Sequence, residues 1–164
     1  MMITNIVALQ RTLRDAISTN RMEITLKIVT PDGVAYDSQA DSVSIPTTTG
    51  EITVLPHHVP LVSLVEAGEL RVKKNGVETN MAVSGGVVEI RPNSTVYVLA
   101  ETAEKAEHID LSRAEAARAR AVELMSQKQT LEEEEYALIV AKMEKELARL
   151  RVGKKYRDVG KTQS

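Results

Sequence analysis

Two periodicities divide this chain. From Glu23 onward, apolar and polar positions alternate through Ile24-Thr25-Leu26-Lys27-Ile28, the spacing of a strand with one buried face. Beyond Ile109 the apolar positions recur at intervals of three and four, which is helical. The alternating part continues in short runs at residues 34–36, 41–45, 52–55, 59–64, 69–73, 77–83, 87–91 and 95–100. Turn chemistry separates them. Pro31-Asp32-Gly33 ends the first, because Pro fixes φ and Gly accepts positive φ. Asn75-Gly76 is the preferred centre of a type I′ turn and predicts a hairpin of 69–73 with 77–83. Many short strands with no helical pattern between them predict an antiparallel β-sandwich or flattened barrel.

In the helical part, Ala114, Ala117, Ala121 and Leu124 form one seam, and Tyr136, Val140, Met143, Leu147 and Leu150 another. Residues 126–129 between them are polar, and Thr130 with Glu133 has capping-box spacing. The prediction is an antiparallel helical hairpin joined by a short loop. Its first helix starts at Asp110 or Ser112, either of which can cap it, and Ser112 with Glu115 again has capping-box spacing. Arg113 and Arg120, two turns apart, project from one face. The junction thus reads as a capped helix with two solvated arginines, or as an anion site between domains. A seam of alanines buries little area, and at about 25 cal/mol per Å² a lone pair of such helices is marginal. The hairpin is therefore expected to detach from its docking site or to change partners.

Residues 1–21 differ from the rest, with Ile6, Leu9, Leu13 and Ile17 at helical spacing and Arg11, Arg14 and Asp15 opposite. Three readings fit: an amphipathic helix, a short targeting peptide, or a leader translated from an early start. A leader or loosely held helix is preferred. A secretory signal does not fit an apolar run broken by Gln10 and Arg11. The domain plan is then an extension at 1–21, a sandwich at 22–103, a helical hairpin at 104–152 and a basic tail at 153–164.

Composition narrows the function classes. Aromatic residues make up 2% of the chain, with no Phe and no Trp, so the core must be aliphatic. A formal net charge of -2 and four tyrosines leave neither a global pull toward nucleic acid nor a stacking platform for bases. The absence of cysteine removes disulfides, thiolate catalysis and thiolate-held zinc. No apolar run reaches the roughly 18 residues needed to span a bilayer. The acidic run Glu132 to Glu135 suits a helix N-terminus, and Arg149, Arg151, Lys154, Lys155, Arg157 and Lys161 suit the opposite end. Because the basic run passes Gly153, it also suggests an acidic partner surface.

Three arrangements resemble active sites without the chemistry. His57-His58 are adjacent, so on a strand they would point apart, and no third metal ligand accompanies them. Gly85-Gly86 precede no helix that could bind phosphate, and predict a bulge or a close backbone approach. Asp41, Ser42 and His58 lack the elbow and oxyanion donors of a hydrolase. No catalytic residue is assigned.

Several ordered segments, from residue 22 to about 151, resemble the epsilon subunit of the F-type ATP synthase. They are Leu26-Lys27-Ile28-Val29-Thr30-Pro31-Asp32-Gly33, Gly50-Glu51-Ile52-Thr53-Val54-Leu55-Pro56-His57-His58-Val59-Pro60-Leu61, Gly68-Glu69-Leu70, Val83-Ser84-Gly85-Gly86-Val87-Val88-Glu89-Ile90, Leu99-Ala100-Glu101-Thr102-Ala103 and residues 109–114. Val87 stands where that family commonly has Phe. The resemblance implies a non-catalytic subunit of the rotating central stalk, bound to the gamma subunit and the c-ring. Such a subunit helps couple proton flow to ATP synthesis and restrains ATP hydrolysis through a hairpin that extends toward the catalytic alpha and beta subunits. It implies partner contacts at His58, Gly85, Gly86, Arg151, Lys154 and Lys155, and a peripheral position on the cytoplasmic face of a bacterial membrane. An organellar inner membrane is the second choice.

No cofactor is implied as a requirement, but ATP is implied as a regulatory ligand of the hairpin. Its contacts would be Glu104, Ile109, Asp110, Arg113, Ala114, Arg120 and Arg149, with Lys145 where a further arginine is usual. The alternative reading is a free ATP-sensing module.

Overall fold

The computed structural model describes residues 22–126 and 132–162, with side chains as far as Asp158. The readings of residues 1–21, of the loop beyond Ser126 and of Thr130 fall outside these residues. Eight strands come first: β1 (Ile24–Thr30), β2 (Gly33–Ala40), β3 (Ser42–Thr47), β4 (Gly50–Val54), β5 (Leu61–Val65), β6 (Gly68–Lys74), β7 (Val77–Arg91) and β8 (Thr95–Lys105). A 3-10 turn at Ala106–His108 leads into helix α1 (Leu111–Ser126) and then helix α2 (Glu133–Thr162).

The strands run in the order β2-β1-β8-β7-β5-β3-β4, with β6 bridging β3 and β7. The order folds the sheet over an aliphatic core. Ile24, Leu26 and Ile28 of β1, Val43 and Ile45 of β3, Leu70 and Val72 of β6, and Val96 and Val98 of β8 all lie inside it. Period-two alternation carried into a two-layer fold produces this arrangement. The expected sandwich is present. Asn75 and Gly76, at φ 53° and 79°, have the positive angles of a type I′ turn. All strand pairs are antiparallel except β1 with β8, the first and last strands.

One difference in the strands follows from the paired glycines. The runs at 77–83 and 87–91 are a single strand, β7, which pairs with β6 along its first half and with β5 along its second. Met81 and Val83 face the core before the glycines, and Val88 and Ile90 after them. The inward parity therefore switches at Gly85-Gly86, whose φ values are +41° and +134°. Strands that pass from one layer to the other need such a corner. The close approach expected of Gly86 is present, because a Cβ there would collide with the Leu99 carbonyl oxygen and lie 2.9 Å from Ala100 Cα.

Two boundaries differ from expectation. Strand β8 runs to Lys105, past the expected boundary at 103, and the segment read as a tail from 153 is helical through Thr162. The helix continues because Gly153 is buried within it, not placed at its end. A Cβ at that point would sit 2.7 Å from Leu111 Cδ2 and 3.1 Å from Ile109 Cγ2.

Candidate functional site: a cleft beneath the hairpin and an apolar row on the sheet

Helix α1 is capped by Asp110. Its Oδ1 accepts from the Arg113 backbone N–H at 3.1 Å, and its backbone carbonyl oxygen accepts from the Ala114 N–H at 3.0 Å. Ser112 is already inside the helix, so the box with Glu115 is not the starting device. The helices run antiparallel, with Lys154 of α2 3.7 Å from Glu115 of α1. In the seam Ala114 and Ala121 are buried, but Leu124 is exposed and Met125 half-buried in its place. A stripe at 3.6 residues per turn drifts toward the i+4 position there.

Helix α2 is the one seated on the sandwich, against β6, β7 and the 3-10 turn, while α1 packs on α2. The seat is small: Ala82, Ala106, Ile109 and Val152, with Leu111 against them. Beside it stands a charged triad. Arg149 donates from Nε to Glu104 Oε2 on β8 at 2.8 Å, and from an Nη to Glu146 Oε2 one turn back at 2.8 Å. These two carboxylates hold the guanidinium above its ordinary pKa, against the opposing pull of burial.

Between α1, α2, β8 and the β1–β2 turn lies a cleft of about 830 Å³. The expected nucleotide contacts divide around it. Glu104, Arg113, Arg120 and Arg149 line the cleft, with Lys145 among them. Ile109, Asp110 and Ala114 do not. Ile109 and Ala114 are buried in packing, and Asp110 serves as the cap. Among the described residues Arg113 and Arg120 have no ion pair and face the cleft as uncommitted cations, while Arg149 is already paired twice. Sequence reasoning missed the opposite wall, Thr30 and Asp32 to Ala35. These residues belong to a turn remote in sequence, and only the fold brings them near.

The expected partner contacts are scattered. His58 lies in the β4–β5 turn with Nδ1 2.8 Å from the Val59 carbonyl oxygen, and Gly85-Gly86 form the corner of β7. His57 Nε2 lies 2.8 Å from Met22 Sδ, so the two adjacent rings serve separate local contacts. Arg151 lines a second cleft of about 500 Å³ on the other flank of α2. Lys155 donates to Glu69 of β6 at 2.8 Å.

A second surface was missed. Below the corner of β7, Leu64, Val87, Leu99, Val29 and Val34 stand level on five neighbouring strands. Leu64, Leu99 and Val34 are 58%, 56% and 57% exposed. Five strands at about 4.8 Å spacing make a row about 19 Å long. The next level outward is Val62, Glu89, Tyr97, Lys27 and Asp37, where Arg91 bonds Glu89 at 2.7 Å and covers the Tyr97 ring at 4.4 Å. A contiguous apolar row with a polar border is the form of a protein-binding surface. The signal in the sequence was Val62 and Leu64, apolar at outward positions of an alternating strand. Among the described residues no helix is long and apolar enough to cross a membrane.

Residues 23–106 match the family model described as ATP synthase, Delta/Epsilon chain, beta-sandwich domain. The chain is similar to the ATP synthase epsilon chain of Chloroflexus aggregans, 44% identical over 131 residues, which are 80% of this chain and 92% of that one. It is similar also to the ATP synthase epsilon chain of Bacillus subtilis, 47% identical over 103 residues, 63% of this chain and 77% of the other. Among solved structures, a chain in the mitochondrial ATP synthase of Euglena gracilis shares the fold. Its TM-score is 0.63 at 22% identity, over 75% of this chain and 76% of that chain.

Proposed function

The chain belongs to the ATP synthase epsilon-chain family, a family of non-catalytic subunits, and from that membership we propose how its parts work. The sandwich fastens to the gamma subunit and the c-ring of the central stalk. It turns with them at the cytoplasmic face of a bacterial membrane, held there only through the complex. The hairpin is the movable part, and when extended it restrains ATP hydrolysis at the alpha and beta subunits.

The observation that carries this reading is the apolar row. Its members Leu64, Val87 and Leu99 lie beyond the corner of β7, with both leucines more than half exposed, while its far end at Val34 borders the cleft beneath the hairpin. A rotating subunit needs a firm attachment on one surface and a releasable element on another. Along β7 the two surfaces are centred on opposite sides of the Gly85-Gly86 corner, the seat of α2 at Ala82 and the apolar row at Val87. The test is reconstitution with the gamma subunit. Wild type should co-purify as a stoichiometric complex, and truncation after Asp110 should preserve that complex while raising ATP hydrolysis of the assembled enzyme. Unchanged hydrolysis would remove the inhibitory role, and failure to bind gamma would remove the stalk assignment.

A second reading, that the hairpin senses ATP, is favoured by the convergence of Arg113, Arg120 and Lys145 on one cleft. Paired guanidinium groups suit a polyphosphate because each offers a planar fork of donors. Calorimetric titration of the full chain with ATP should yield a binding isotherm that Arg113→Ala abolishes. A flat wild-type titration rejects this reading.

A further inference from the structure

We propose that Arg149 is the pin of a latch that holds α2 on the sandwich without any ligand. It is a positioning residue and not one of the cations offered to an anion in the cleft. The proposal deepens the reading of the hairpin as a movable element and rests on it.

The geometry assigns Arg149 two fixed partners. Glu146 is one turn back on the same helix and holds the guanidinium in orientation. Glu104 is on β8, so the second bond ties helix to sheet. Arg149 and Glu146 are 14% and 12% exposed and Glu104 is 31% exposed, so the bond within the helix is covered while the bond to the sheet is within reach of water and salt. Removing one partner from such a group leaves the others uncompensated. Two carboxylates facing one guanidinium also leave the triad with a net negative charge. A phosphate approaching Arg149 would have to displace one carboxylate and sit beside the other. Arg113 and Arg120 present no such obstacle.

The latch is placed where it matters. Val152, three residues on from Arg149, is the contribution of α2 to the apolar seat, and Gly153 lets the helix close onto Ile109 and Leu111. Two of the four buried members of that seat are alanines, so its apolar area is small. The compact position therefore depends on a charged bond that salt can weaken.

The absence of cysteine allows a direct test in the full chain. Spin labels are placed at Val77→Cys on the sandwich and Leu138→Cys on α2, both exposed, and distances are measured by double electron–electron resonance in nucleotide-free buffer. Wild type at low salt should show one narrow distance. Glu104→Gln should add a second, broader population, and Arg149→Gln a larger one, because it leaves two carboxylates facing each other. The double substitution should open less than the sum of the two. Salt at about 1 M, where the screening length is about 3 Å, should move wild type the same way. Arg149→Lys keeps the charge but cannot span both carboxylates, and should open to an intermediate extent. It also supplies the readout if a neutral variant fails to fold. Lys145→Gln, in the same cleft, should leave the distance unchanged.

One unchanged narrow distance in Arg149→Gln and Arg149→Lys at both salts would overturn the latch, as would equal opening by Lys145→Gln. Neither ATP nor a partner subunit is in the sample, so loss of gamma binding or of ATP binding in the experiments above would leave this result standing.

Discussion

Gly86 lies so close to the backbone of Leu99 that a Cβ on it would stand 2.9 Å from Ala100 Cα and collide with the carbonyl oxygen before it. The neighbouring atoms are main chain and cannot swing aside. The residue also has φ +134°, a region L side chains rarely adopt. Both conditions arise because β7 changes layers at this point. Gly86→Ala should therefore cost at least about 3 kcal/mol. It should also disturb Val87 and Leu99, the centre of the apolar row. Urea unfolding monitored by circular dichroism measures the loss, and a midpoint within error of wild type would contradict the corner.

Leu64 and Leu99 flank Val87 on the outward side of the sheet, and both are more than half exposed. Replacing either with Glu removes little buried area. Stability should change by no more than about 0.5 kcal/mol, as for other exposed positions. The gamma-subunit complex should behave differently, because a charge at the centre of an apolar contact is left unpaired when water is excluded. The expected outcome is a normal melting curve with at least tenfold weaker association in a pull-down titration. Wild-type association by both variants would move the attachment surface elsewhere.

Alternation at 24–28 and the Asn75-Gly76 turn were enough to place β1 and the β6–β7 hairpin, because both signals are local. The alanine seam and Asp110 likewise placed α1. What escaped was set by distant residues. A glycine pair reads the same whether it ends a strand or turns one, and the single strand β7 was split in two. Gly153 follows a run of periodic positions and so resembles a helix stop, but the close surface of Ile109 and Leu111 keeps it inside α2. Of the cleft, the charges Arg113, Arg120 and Glu104 were legible from spacing and resemblance. The prior claim of Glu104 and Glu146 on Arg149 was not, because it depends on where α2 lands on β8.

Gly153 is open to test from that standpoint. In an exposed helix Gly→Ala gains about 1 kcal/mol of propensity. Here the added methyl would press on Leu111 Cδ2 at 2.7 Å and on Ile109 Cγ2 at 3.1 Å. Gly153→Ala should recover little of the propensity, since Leu111 must rotate, and Gly153→Leu should lift the end of α2 from its seat. Amide hydrogen exchange measures this, with faster exchange expected in α2 around Val152 and unchanged exchange in β1 and β8. Protection of α2 equal to wild type in Gly153→Leu would show that the close approach is not needed for docking.

Lys155 is tied to Glu69, a group that also lies 3.5 Å from Arg71. The Lys155 side chain is 50% exposed, and an ion pair so hydrated is worth at most about 1 kcal/mol. Lys155→Ala should therefore leave the unfolding midpoint nearly unchanged. In the compact form, however, Glu69 occupies a cation that an acidic partner would otherwise meet. Glu69→Gln loosens the compact form and should shift the population toward the proposed extended hairpin, read as stronger restraint of ATP hydrolysis in the assembled enzyme. Weaker restraint in Glu69→Gln would reverse the assignment.

Tyr36 packs partly buried against the sandwich core. Burial pushes its phenol above the ordinary value, and a hydrogen bond with the Ser38 side chain pulls it partly back. A raised pKa in the folded chain means that folding favours the neutral phenol. This contribution to stability is complete below the unfolded value of about 10. It is lost as pH rises from there through the folded value, because the unfolded chain releases its proton first. Tyr36→Phe keeps the ring and removes the proton. The fall in unfolding free energy above about pH 10 should therefore be shallower in Tyr36→Phe than in wild type, with the curves parallel at neutral pH. Urea unfolding at a series of alkaline pH values reads the two slopes, and equal slopes would mean that the phenol is as free to ionise in the folded sandwich as in the open chain.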